Sequence, residues 1–148
     1  MVKIAIGSDH GGYELKEEIK KTLEAEGIKY KDFGTMNEKS VDFGPIAKKV
    51  AESVADDKYN RGILICGTGI GMSIMANKVK GIRAALVNNV FSAEASRAHN
   101  NSNILCMGAR VIGAELAKMI TRVWLKTEFE GGRHKRRIDF ISDYQNAD

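Results

Sequence analysis

The stretch from Gly62 to Ser73, GILICGTGIGMS, constrains the fold of this chain more than any other segment. Its first part, Ile63 to Ile65, is an apolar run typical of a buried parallel strand. Alternating glycines follow, and then a helical pattern through Met72, Ile74, Met75 and Val79. Where a strand leads through a glycine loop into a helix, free backbone N–H groups and the helix dipole favour negative charge. The stretch therefore predicts an anion-binding loop.

The spacing of Gly67, Gly69 and Gly71 excludes two better-known nucleotide loops. The dinucleotide pattern GxGxxG requires glycine where this chain has Met72, and the phosphate loop GxxxxGK[ST] requires a lysine that does not occur here. The alternative to an anion site is a tight turn that needs glycine for its backbone angles and binds nothing. The loop by itself leaves both interpretations open.

Composition restricts the class of protein. The chain has 148 residues, 43% hydrophobic and 28% charged, which suits a single domain over residues 1–148. Its opening sequence is strand-like without the features of a signal peptide, and no apolar run is long enough to span a bilayer. Cys66 and Cys106 form neither a metal-ligand pattern nor a disulfide framework. We expect a soluble cytoplasmic protein with no membrane partner.

Hydrophobic periodicity predicts five strands that alternate with helices and show no internal repeat. A last helix after Gly131 and Gly132 carries the basic cluster RHKRR, and a stripe that includes Met119 and Trp124 indicates core or interface packing. This order predicts an α/β, three-layer Rossmann-like fold with a five-stranded parallel sheet flanked by helices. The strands are expected at Val2–Ile6, Ile28–Phe33, Ile63–Ile65, Ile82–Val87 and Ile104–Met107.

Ligands of such sheets bind outside the carboxyl ends of the strands. The loops after strands one and three should share one crevice, which brings Asp9 and His10 near Cys66 and Thr68. The polar residues of the fourth crossover, around the run His99 to Asn103, are expected to approach the same crevice.

Cys66 is the strongest candidate for chemistry, because a helix N-terminus favours the thiolate form of a cysteine. The alternative, a buried small hydrophobe, is our interpretation of Cys106. Asp9 and His10 form a possible acid–base pair, although Asp9 is also suited to cap the next helix. His99 closes a helix, where a histidine is more often a partner of the helix dipole than a catalyst.

Arg133 and Arg137 lie four residues apart, so they share a helix face that suits a phosphate. Arg110 is placed to join them, and the alternative for the cluster is a solvated basic helix. The basic residues have no aromatic platform beside them, which favours a small phosphorylated ligand over nucleic acid. No cluster of His, Cys, Asp and Glu resembles a metal site, so the sequence predicts chemistry without a metal or another cofactor.

Five motifs together resemble the type B ribose-5-phosphate isomerases, a family shared with galactose-6-phosphate isomerase subunits and allose-6-phosphate isomerases. They are GSDHGG, CGTGIGMS, SRAHNNSN, GAR and GGRHKRRID, and they cover nearly the whole chain in the family's order. The resemblance implies an aldose–ketose isomerase that moves a proton between C1 and C2 of a sugar phosphate through an enediolate, after the sugar ring has opened.

The resemblance also implies roles for individual residues. Cys66 is the base for the proton transfer, a role that a glutamate at the position of Met72 takes in another branch of the family. His99 and Asp9 assist ring opening, and Thr68 handles a hydroxyl proton. The loop residues Gly67, Gly69, Ile70, Gly71, Met72 and Ser73 bind the enediolate. Asn100 contacts sugar hydroxyls, and the phosphate is held by His10, Arg110, Arg133 and Arg137.

The family's sites are shared between two subunits, so the resemblance implies a homodimer, with a tetramer as an extension. Where the family usually has tyrosine and then proline after the residue matching Asp42, this chain has Phe43-Gly44-Pro45, which bears on the choice of sugar. The preferred substrate is expected to be ribose 5-phosphate, with allose or galactose 6-phosphate as the alternative. A module that binds a phosphorylated metabolite without catalysis is a second alternative.

Overall fold

The computed structural model describes residues 2–147 and contains a five-stranded parallel sheet with helices on both faces. The predicted fold class is confirmed. The strands are β1 Lys3–Ser8, β2 Lys29–Asp32, β3 Arg61–Cys66, β4 Ala84–Leu86 and β5 Ile104–Gly108. The helices are α1 Tyr13–Ala25, α2 Phe43–Ala55, α3 Ile70–Ala76, α4 Val90–Ala98, α5 Ala114–Lys126 and α6 Arg133–Asn146, and a 3-10 turn, His10–Gly12, precedes α1.

The sequence did not predict the strand order β2-β1-β3-β5-β4, in which β5 lies between β3 and β4. All five residues of β5 are buried, whereas the three residues of β4 are partly or fully exposed. An apolar strand gains most from two neighbours and two covered faces, so β5 takes the inner position and β4 the edge.

Two apolar clusters cover the two faces of the sheet. Helices α1, α4 and α5 pack on one face, against the alternate residues Ile63 and Ile65 of β3. Helices α2 and α3 pack on the other face, against Leu64 and Cys66. Trp124 of α5 is fully buried and donates its Nε1 hydrogen to Ser102 Oγ at 2.8 Å. Of the predicted stripe, Trp124 therefore lies in the core, whereas Met119 is exposed.

Helix α3 is shorter than its apolar pattern predicts. It ends at Ala76, and Val79 lies in the turn that follows, where its amide donates to Ala76 O. The side chain of Asn77 explains this end, because it bonds both the amide and the carbonyl of Ala84 and so ties the chain to β4. Within residues 2–147, no helix has the combination of length and apolar character that crossing a membrane requires.

Candidate active site

Cys66 is the last residue of β3 and therefore lies at the carboxyl edge of the sheet. Its side chain is almost completely buried, and the Gly69 amide donates a hydrogen bond to its Sγ at 3.1 Å. Gly69 adopts a left-handed φ of 80°, and an added Cβ there would lie 2.5 Å from Leu86 Cδ1, so only glycine fits this turn. An N–H group directed at the sulfur stabilises negative charge on it.

The glycine loop presents backbone and hydroxyl groups around this thiol. The Thr68 hydroxyl oxygen accepts from the Ile70 amide at 3.2 Å, which leaves its own hydrogen free for another acceptor. In the first turn of α3, the amides of Gly71 and Met72 find no acceptor within residues 2–147. The Met72 side chain is fully buried, so this residue can meet a ligand only through its backbone.

The loop after β1 packs against the glycine loop, as the strand-end argument predicted. The Asp9 amide donates to Ile65 O at 3.2 Å, and an added Cβ at Gly11 would lie 3.4 Å from the Gly67 nitrogen. Asp9 Oδ1 accepts from the Gly12 amide at 3.1 Å and so caps the turn that precedes α1. The second oxygen of this carboxylate accepts no hydrogen bond within residues 2–147, which keeps it available for proton transfer.

His10 is oriented by the loop that leads into α2. Its Nδ1 accepts a hydrogen bond from the Val41 amide at 3.2 Å. A neutral imidazole that accepts at Nδ1 carries its hydrogen on Nε2, so His10 presents an N–H donor on its other side. A donor of this kind suits a phosphate oxygen.

Arg110 follows β5 and folds back over the glycine loop. Its amide donates to Gly67 O at 2.9 Å, and an added Cβ at Gly67 would lie 3.5 Å from its Nε. The carboxyl edge therefore combines a thiol, a hydroxyl, a carboxylate and two candidate phosphate ligands. Asp9, His10, Cys66 and Thr68 come together there as predicted. Arg110 lies with them at Gly67, whereas the sequence analysis placed it with Arg133 and Arg137.

A groove of about 870 Å³ opens beside these residues between α1 and α5. His10, Gly11 and Arg110 line it, but Cys66 and Thr68 do not. Its other wall carries Glu14, Glu17, Glu18 and Glu38. Two of these carboxylates are paired with lysines, Glu17 with Lys20 and Glu18 with Lys21 and Lys118.

His99 lies at the opposite, amino edge of the sheet. Helix α4 runs back from the end of β4, and the turn that follows it is fixed by Gly62 N donating to Asn103 O at 2.8 Å. Cys66 follows Gly62 by four residue steps along β3, a distance of ~13 Å. The expectation that the polar residues of this crossover approach the crevice within one chain is therefore wrong. The reason is that a crossover helix returns the chain to the start of the next parallel strand.

Arg133 and Arg137 belong to the amino edge as well. They begin α6, and His134 between them stacks on His99 with ring centroids 4.4 Å apart. Both arginines are exposed, as are His99 and Asn100. One chain thus divides the predicted site residues into two groups at opposite edges of the sheet, the second being His99, Asn100, Arg133 and Arg137.

A cluster of His99, Glu130 and His134 at the amino edge was missed by the sequence analysis, which found no group resembling a metal site. The ligand atoms of the three residues lie within 4.8 Å of one another. The two imidazole rings are stacked, with only 14° between their planes. The lone pairs of imidazole lie in the ring plane, so two parallel rings cannot both point at one ion. The cluster as folded is better suited to proton chemistry than to a metal.

The two thiols differ in their surroundings. Cys106 is fully buried within β5, and burial, with a smaller contribution from Cys66, raises the pKa of its thiol. It remains a neutral apolar group, as the sequence indicated.

A thiol and a loop of free amides at the strand ends of a parallel sheet define an enzyme that acts on a small anionic substrate. The chain belongs to the Ribose/Galactose Isomerase family, whose profile matches residues 4–141. It is therefore an isomerase, and the resemblance and enzyme class predicted from the motifs are confirmed.

Bacterial relatives match almost the whole chain. A putative sugar phosphate isomerase of Bacillus subtilis is 56% identical over 97% of both chains. Ribose-5-phosphate isomerase B of Escherichia coli is 48% identical over 96% of this chain and 95% of its own. The solved structure of ribose-5-phosphate isomerase B from Clostridium thermocellum superposes with a TM-score of 0.95 at 52% identity, over 97% of each chain. A sugar phosphate is thus the class of substrate that the family implies.

Proposed function

We propose that this protein interconverts ribose 5-phosphate and ribulose 5-phosphate, with Cys66 as the base. The observation that carries the proposal is the Cys66 thiol at the end of β3, with the Gly69 amide 3.1 Å from its sulfur. Full-length relatives that carry the name ribose-5-phosphate isomerase B support the choice of sugar.

The reaction follows from the groups at the carboxyl edge. The Cys66 thiolate takes the proton from C2 of the open-chain aldose and returns it to C1, while a hydroxyl proton moves between O2 and O1. The free amides of Gly71 and Met72 stabilise the negative oxygen of the enediolate, where such donors lower the barrier most. The Thr68 hydroxyl, free to donate, serves the oxygen that exchanges its proton.

Ring opening precedes this step, because an aldose 5-phosphate is mostly cyclic. The ring oxygen O4 must gain a proton as the C1–O4 bond breaks, and the C1 hydroxyl must lose one as the carbonyl forms. We assign these transfers to His99 and Asp9, with Asn100 as a ligand of the sugar hydroxyls. His10, Arg110, Arg133 and Arg137 hold the phosphate.

These assignments require a second copy of the chain, since His99 and Cys66 of one chain are at opposite edges of the sheet. We propose a homodimer, which can pair into a tetramer, in which each site combines the carboxyl edge of one protomer with the amino edge of its partner. Helix α6 supports this arrangement, because three of its large apolar residues are exposed: Phe140, Ile141 and Tyr144. The two free buried cysteines support a cytoplasmic location.

The test is conversion of ribose 5-phosphate by the purified protein in the presence of a metal chelator. The parent should be active, and Cys66→Ala should lose at least about 1,000-fold in kcat, because it lacks the base. Cys106→Ala is the matched control for removal of a thiol, since Cys106 is fully buried in β5 and is not one of the proposed site residues, and it should keep most of its turnover.

The outcomes separate the alternatives. Full activity in Cys66→Ala would exclude the thiol mechanism. A parent that is inactive on ribose 5-phosphate but active on allose or galactose 6-phosphate would move the assignment to a hexose phosphate, for which Phe43 in place of the family's tyrosine is the first residue to vary. Inactivity on all three sugars, with retained binding, would indicate a metabolite-binding module.

A further inference from the structure

His99 stands in a group of three residues whose members come from two distant segments. Its ring stacks on His134, with centroids 4.4 Å apart, and its Nε2 lies 3.9 Å from Glu130 Oε1. The same carboxylate oxygen lies 3.4 Å from His134 Nε2. One acidic side chain therefore faces the Nε2 edge of both imidazoles.

The backbone fixes the position of this acid. The Glu130 amide donates to Ala98 O at 3.0 Å, which ties the segment before α6 to the last turn of α4. Gly131 and Gly132 then turn the chain with left-handed φ angles of 71° and 56°, so that His134 reaches the face of His99. The contact between the segments is built into the fold and does not depend on flexible side chains alone.

The two stacked imidazoles differ in their environment. The His134 side chain is 11% exposed, and burial, with contributions from the neighbouring His99 and Arg133, lowers its pKa. The His99 side chain is 47% exposed. The lowered pKa favours the neutral form of His134, and two positively charged rings would repel each other at this distance.

We infer that Glu130 and His134 are positioning residues for His99. Glu130 holds the Nε2 edge of the His99 imidazole by charge, and His134 fixes the plane of the ring. The inference rests on the proposed function, in which His99 moves a proton during ring opening. Loss of either residue leaves an exposed imidazole free to rotate, and a misplaced proton carrier loses rate.

Other charged groups near His99 do not take over this role. Glu94, on the same helix, lines a cavity of about 100 Å³ together with His99 and Glu130. Arg133 and Arg137 flank His134 on α6 and disfavour its protonation. Glu130 is thus the carboxylate that faces both rings, and we assign the orienting charge to it.

The test separates ring opening from proton transfer at carbon. Ribulose 5-phosphate has no free hydroxyl that can close a five-membered ring, so it is open-chain and needs no ring opening. Exchange of its C1 hydrogen with deuterium from solvent reports the Cys66 step alone, whereas isomerisation of ribose 5-phosphate reports both steps. Glu130→Gln and His134→Ala should lower kcat on ribose 5-phosphate about tenfold and leave the exchange rate within about twofold of the parent.

The controls make the outcomes distinct. Glu128→Gln, an exposed acid two residues away, should leave both rates unchanged, and His134→Phe, which keeps a flat ring, should lose less than His134→Ala. Equal losses of both rates in Glu130→Gln, or no loss of either, would overturn the inference. Failure of the parent to catalyse exchange, or full exchange in Cys66→Ala, would instead contradict the proposed function.

Discussion

The two edges of the sheet carry two different kinds of half-site. The carboxyl edge is built mainly from backbone: amides at the start of α3, a cap at Asp9 and the close approach of Gly11 to Gly67. The amino edge is built from side chains, with His99, Glu130 and His134 brought together by α4 and α6. The first can stabilise a developing oxyanion, and the second can carry a proton and hold a phosphate.

Under the proposed function, neither edge is a complete active site by itself. The carboxyl edge has the thiol base but only His10 and Arg110 as candidate phosphate ligands. The amino edge has the two arginines but no nucleophile or carbon base among the residues predicted for the site. The ~13 Å along β3 between Gly62 and Cys66 is too long for one five-carbon substrate to contact both edges of the same chain.

The most decisive test of the difference between the two edges uses two variant chains, each with a different edge inactivated. Cys66→Ala and His99→Asn should each have very low activity on ribose 5-phosphate. After unfolding and refolding together, hybrid dimers contain one site with both native residues, so about a quarter of the parent's activity should return. Mixtures of Cys66→Ala with the parent provide the control for exchange of subunits.

A result with no recovery, although mass spectrometry detects the hybrid dimers, would contradict the shared site. Each protomer would then have to complete its site by itself, which its fold does not allow without a large rearrangement.

A second prediction sharpens the claim that the carboxyl edge depends on backbone placement. An added Cβ at Gly71 would lie 2.7 Å from Phe43 Cζ, so Gly71→Ala must displace the ring or the start of α3. We expect a loss of about 100-fold in kcat/KM from a shift of the loop amides, measured by steady-state kinetics. The double variant Gly71→Ala with Phe43→Ala should recover part of this loss.

Gly44→Ala is the matched control for that experiment, because nothing lies within 4 Å of a Cβ added there. Its activity should equal that of the parent. An unchanged kcat/KM in Gly71→Ala would show that the loop tolerates the displacement.

The smallest expected effect concerns the amino edge and pH. Burial lowers the pKa of His134, so the folded protein binds a proton there less readily than the unfolded chain does. Its contribution to stability is present above the ordinary histidine pKa and is lost as pH falls through the lowered value. The melting temperature should therefore fall between about pH 7.5 and about pH 5, and His134→Phe should show a smaller fall. An identical fall in the melting temperatures of the parent and His134→Phe would show that His134 does not cause it.

The strand order shows what a local sequence pattern can and cannot predict about this fold. Five strands and their parallel direction follow from apolar runs that alternate with helices, and the order along the sheet does not. β5 takes the inner position between β3 and β4 because all five of its residues can be buried, which is a property of the assembled sheet. The end of α3 has a similar cause, since Asn77 bonds to β4 and stops a helix that the apolar pattern would continue.

The sequence by itself determined the half-site at the carboxyl edge, because glycines, a strand-end cysteine and a capping aspartate act on neighbouring residues in the chain. The position of His99 at the other edge follows from the parallel sheet, since each crossover returns the chain to the start of a strand. Only the tertiary structure decided that Glu130 and His134 meet His99 there, because those contacts join the end of α4 to a segment about thirty residues away. Backbone geometry can be read from short motifs, whereas the meeting of distant side chains depends on how the whole sheet packs.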